Sequence, residues 1–115
     1  FGASEETDFI LRALKQGAKI VFAPEIKVHH KWGGAAHAGY GLEHMKRDFR
    51  SSRSRARGTG AIYAKHVAPS YIVLRGCLAP LARFALSIHK PRHAAIELGT
   101  AVGRLQGYFS WKRLY

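Results

Sequence analysis

The sequence predicts a short α/β segment over residues 1–40, followed by a mainly α-helical, strongly basic extension over residues 41–115. Three observations lead there. A helix-patterned stretch at residues 4–16 is followed by a β-rich run at 19–22. Beyond residue 41 the chain reads as helical segments separated by glycines and prolines. The charge divides in the same way: residues 1–25 hold four acids and three bases (net −1), and residues 26–115 hold three acids and sixteen bases (net +13).

Ser4 is placed as an N-cap, with Glu5 and Glu6 in the first turn, where the helix dipole favours negative charge. Phe9, Ile10, Ala13 and Leu14 form an apolar stripe at helical spacing, and Gly17 stands where a C′ glycine belongs. Lys19–Phe22 alternates as a strand does, Pro24 interrupts it, and Ile26–His30 is a second short extended run. Gly33, Gly34, Gly39 and Gly41 mark a loop that carries His37. Leu42–Arg57 reads as a polar, basic surface helix, broken at Gly58 and Gly60; Ala61–Val67 reads as a separate short helix ended before Pro69. Ser70–His89 is mostly apolar with Pro80 inside it. Arg92–Tyr115 follows as a last helix, whose glycines at 99, 103 and 107 recur every fourth residue. That spacing lets helices approach closely while lowering intrinsic helix propensity.

At 115 residues the chain suffices for one small domain. A single cysteine, Cys77, excludes an intrachain disulfide framework and sits in an apolar stretch, as a small buried hydrophobe does. It points to a reducing compartment or leaves the compartment open. There is no signal-peptide pattern, and no uninterrupted apolar run of about 18 residues that would read as a membrane span. The chain opens in mid-motif at Phe1, as expected for a piece of a longer polypeptide.

The most specific pattern lies in residues 2–30: Gly2-Ala-Ser-Glu5-Glu6-Thr-Asp8-Phe-Ile-Leu-Arg12, then Gly17, Ile20-Val-Phe-Ala-Pro24-Glu25 and Val28-His29-His30. In order and spacing this resembles the end of the catalytic domain of family 2 glycosyltransferases with the GT-A fold, where an acidic pair opens a helix and a strand, a Pro-Glu step and a histidine follow. The resemblance implies the end of a GT-A α/β domain and inverting transfer of a hexose from a nucleotide-sugar donor to the hydroxyl of a glycan or lipid-linked acceptor. It makes Glu6 the catalytic base, where the family more often has Asp, and Glu5 a residue that orients the acceptor or holds the loop. It makes His30, with His29 as second choice, the histidine near the metal or diphosphate. A divalent metal, Mg or Mn, is the cofactor it implies.

The chemistry suits those residue types. An acceptor hydroxyl must lose its proton as its oxygen bonds to the anomeric carbon, and a positioned carboxylate takes it. Each residue also has a simpler account. Acids at a helix start are often dipole-favoured surface groups. Asp8, an acceptor-side candidate, stands four residues before Arg12 and suits a plain i,i+4 ion pair. Trp32, the other acceptor-side candidate, could stack on a sugar or simply pack the loop. The family's donor-side parts, a nucleotide-binding βαβ region and an Asp-x-Asp motif, do not occur: the only aspartates are Asp8 and Asp48. The expectation is therefore an acceptor-side piece, inactive by itself.

Arg47, Arg50, Arg53, Arg55 and Arg57 crowd one segment, and Arg57-Gly-Thr-Gly60 then leads to Tyr63 and Lys65-His66. This part resembles the tails of bacterial family 2 enzymes that work at membranes. Three readings stay open for it: a surface that meets anionic lipid, with Tyr71–Ile88 supplying apolar area; a nucleic-acid patch, disfavoured because aromatics do not interleave with the arginines; and a solvated helix packed on the catalytic domain. The corresponding expectation is a cytoplasmic protein, peripheral at the inner face of a bacterial plasma membrane. The rival from another class is a small cationic binding module without enzymatic activity.

Overall fold

Four helices, α1 (Glu5–Lys15), α2 (Leu42–Lys65), α3 (Ser70–Leu86) and α4 (Pro91–Leu114), make up the ordered architecture of the computed structural model, which describes residues 4–27, 29 and 41–115. Among these residues there is no strand and no sheet. This overturns the α/β expectation, including the end of a GT-A sheet. The run expected as a strand, 19–22, is coil, with Ile20, Val21 and Phe22 exposed by 69%, 81% and 87%. A strand persists only when its backbone groups pair with a neighbour, and none lies beside this run among the described residues. The second extended run, 26–30, falls partly outside them.

Helix α1 ends as its sequence suggests. Gly17 adopts φ +86°, its N–H bonds the Leu14 carbonyl at 3.0 Å, and the Ala18 N–H bonds the Ala13 carbonyl at 3.0 Å. These are the two bonds of a Schellman cap, which needs a left-handed residue at that position. The start differs: Ser4 has φ 91° and makes no side-chain cap bond. Its hydroxyl instead lies 3.3 Å from that of Thr59 on α2.

Helix α2 runs unbroken through Gly58 and Gly60, where two shorter helices were expected. The cause is tertiary. Ser52, Ala56 and Gly60 form a buried stripe at four-residue spacing, facing Gly99, Gly103 and Gly107 of α4. A methyl group added at Gly103 would collide with the Arg53 carbonyl and lie 2.9 Å from the Ala56 Cβ; one added at Gly107 would lie 2.9 Å from the Ala61 nitrogen. Position 99 thus meets Phe49 and Ser52, 103 meets Arg53 and Ala56, and 107 meets Arg57 and Ala61, so α2 and α4 run parallel. Each glycine lowers helix propensity by about 1 kcal/mol relative to alanine. Dispersion contacts between two backbones in direct apposition offset that.

Helix α3 lies antiparallel to α4, with Arg83 Nε 2.9 Å from Glu97 at one end. Pro80 is fully buried inside it. Proline has no N–H, so the carbonyl four residues earlier, Gly76, lacks its helical donor. Arg104 of α4 supplies it through Nη1. At the far end of the seam, Arg92 Nε donates to Asp48 at 2.7 Å, fastening the start of α4 to α2. The resulting core consists mainly of small groups, including Ala56, Ala61, Ile62, Cys77, Ala94 and Ala101. Apart from Ile62, many of the larger apolar side chains, such as Leu74, Leu78 and Phe109, remain exposed.

Candidate functional site

The Asp8 carboxylate is the main polar fastening between helix α1 and α2, beside the Ser4–Thr59 contact. Asp8 Oδ2 accepts from Lys65 Nζ at 2.7 Å and lies 3.3 Å from Arg12 Nε, while Oδ1 lies 2.7 Å from His66 Nε2. The Lys65 hydrogen bond, then that of His66, holds the Asp8 carboxyl down at a pKa of about 2, against an opposing contribution from burial. The His66 ring is 9% exposed, and its Nδ1 is buried without a partner among the described residues. Lys65 also sits 5.6 Å from the centroid of the Trp111 ring, which stacks on Tyr115 with centroids 4.4 Å apart. The seat on which α1 rests is therefore the C-terminal turn of α2, whose Lys65 in turn touches the aromatic end of α4.

The remaining sequence-predicted residues fall differently. Glu5 and Glu6 project from the first turn of α1 into solvent, and neither has an ion pair among the described residues. Asp8 lies one turn further on, with both oxygens engaged. His29 is exposed; His30 and Trp32 lie outside the described residues. The structure thus separates the three acids of the motif: two are free at the helix tip and one is a fastening. The expected Asp8–Arg12 pair is present but is only one of three contacts.

No family model matches this chain, and neither does any curated protein or solved structure. Among the described residues, no group of three or more His, Cys, Asp or Glu side chains could hold a metal ion. The implied divalent cation thus finds no ligand set in them. No helix among them is long and apolar enough to cross a membrane.

Sequence reasoning placed Lys65-His66 within a motif but gave it no partner. Its partner, Asp8, is 57 and 58 residues away, and no periodicity connects such positions. The Ser52, Ala56, Gly60 stripe was legible in principle, since four-residue spacing of small residues is the pattern already noted on α4; the surrounding arginines masked it.

Proposed function

We propose that these residues form the acceptor side of an inverting glycosyltransferase working at an anionic membrane surface, with Glu6 as the general base. The observation that carries this reading is the division of labour on α1. The two carboxylates that the motif singles out are the ones left free at the helix tip, while Asp8 anchors the helix that presents them.

In that reading the Glu6 carboxylate takes the proton of the acceptor hydroxyl as the oxygen bonds to the anomeric carbon. The bond from that carbon to the nucleoside diphosphate breaks on the opposite face, which inverts the centre. Glu5, beside it, orients the acceptor. The donor-binding half is supplied by residues other than these. The membrane part is supported by α3, whose Tyr71, Leu74, Leu78 and Leu86 are 69%, 59%, 52% and 76% exposed, on a chain of net charge +12. Apolar side chains left uncovered on a strongly cationic protein suit an anionic bilayer surface.

The test is sugar transfer by the enzyme that carries these residues together with a donor-binding half. Glu6→Gln should lower turnover by about 10²–10⁴-fold, the usual contribution of a positioned base, and leave donor affinity unchanged. Near-normal turnover in Glu6→Gln would remove Glu6 from the role; loss in Glu5→Gln alone would move the base by one residue.

A further inference from the structure

The first half of α2, the end of α3 and the start of α4 leave an open groove of about 490 Å³ between them. Its walls are apolar: Met45 and Phe49 from α2, Phe84 and Ile88 from the α3 end, Ala95 and Leu98 from α4. Leu42 and Ile88, at 64% and 67% exposure, extend the apolar surface outward. Lys46, Arg50 and Arg53 also line it. Directly beside it lies a polar cleft that shares Lys46 and Arg50 and adds Glu43, His44, Arg47 and Ser51. An apolar slot therefore abuts a cleft in which Lys46, Arg47 and Arg50 outnumber the single acid Glu43, and two residues belong to both.

We propose that this pair of cavities seats one anionic phospholipid of the bilayer, with an acyl chain in the groove and the phosphate at Lys46, Arg50 and Arg53. Charge complementarity selects the occupant. Arg50 and Arg53 make no ion pair within the described residues, and Lys46 has only an exposed pair with Glu43 at 2.9 Å, which is readily exchanged. Guanidinium groups match phosphate oxygens in bidentate geometry. The apolar walls offer a chain little to hydrogen-bond, which suits methylenes and not a sugar or a peptide backbone. The inference rests on the membrane-surface part of the proposed function and is independent of sugar transfer.

Met45 is the single methionine of the chain, so its methyl resonance reports on the groove without ambiguity. Titration of the full chain with monomeric dihexanoylphosphatidylglycerol should shift that resonance saturably, whereas inorganic phosphate should not. In sedimentation with phosphatidylcholine vesicles, with and without phosphatidylglycerol, binding should require the anionic lipid. Leu42→Asp with Ile88→Asp, both at exposed positions, and Arg50→Glu with Arg53→Glu should each weaken it at least tenfold. Arg75→Glu with Arg113→Glu makes the same charge change elsewhere and should weaken it less. An unmoved methyl resonance, an equal shift with inorganic phosphate, or vesicle binding indifferent to Leu42 and Ile88 would overturn the lipid site. So would a stable dimer in solution that buries Met45. None of these outcomes bears on Glu6, whose test reads sugar transfer alone.

Discussion

Gly103→Ala tests the seam on which the fold depends. In an ordinary exposed helix interior this change stabilises by about 1 kcal/mol, because alanine loses less backbone entropy and shields the helix. Here the added methyl would strike the Arg53 carbonyl, with the Arg53 carbonyl carbon at 3.0 Å and the Ala56 Cβ at 2.9 Å. All of these are backbone or Cβ atoms of a helix, so no rotamer change relieves the clash. Helices α2 and α4 must move apart by several tenths of an ångström or more, and neighbouring positions 99 and 107 lose contact with them. Overpacking of this kind costs about 1–3 kcal/mol. After the propensity gain, the net expectation is a loss of up to about 2 kcal/mol, or at most roughly 8–16 °C in Tm at about 4–8 °C per kcal/mol for a domain near this size. Thermal unfolding followed by circular dichroism measures it, with Gln106→Ala, an exposed position on the same helix, as the control expected to lie within about 0.5 kcal/mol of wild type. A Gly103→Ala protein more stable than wild type by about 1 kcal/mol would show that the helices do not touch there.

Arg104→Met should cost about 1–3 kcal/mol in thermal or denaturant unfolding, since it leaves the Gly76 carbonyl, already deprived of a donor by Pro80, without a partner. Restoring a donor in the double variant with Pro80→Ala should recover part of that loss, and a double variant no better than Arg104→Met would refute the account. Asp8, with its folded pKa near 2 below the ordinary 3.8, contributes docking of α1 that is fully present above about pH 4 and is lost as pH falls towards 2. Hydrogen exchange of α1 amides should follow that profile in the wild type and stay fast at every pH in Asp8→Asn; wild-type protection in Asp8→Asn would refute the clamp.

Local chemistry determined a good deal of this protein. The Schellman end of α1 follows from one glycine after an amphipathic stripe, because a left-handed residue there satisfies two carbonyls without help from elsewhere. The Asp8–Arg12 spacing implies their contact, and four-residue glycine spacing on α4 implies close approach to another helix. What the sequence could not determine depended on partners distant in the chain. Lys19–Phe22 has the alternation of a strand, yet a strand is a property of a pair, and no second strand stands beside it among the described residues. Gly60 and Pro80 each weaken a helix in isolation; α4 keeps these helices whole by backbone apposition and by the Arg104 donor. Asp8 reads as an acceptor-side acid or half of a local pair until the fold brings Lys65 and His66 to it, and the apolar groove exists only where three helices meet. Tertiary structure decided these points because each requires two segments to meet in space, and side-chain periodicity carries information only along one.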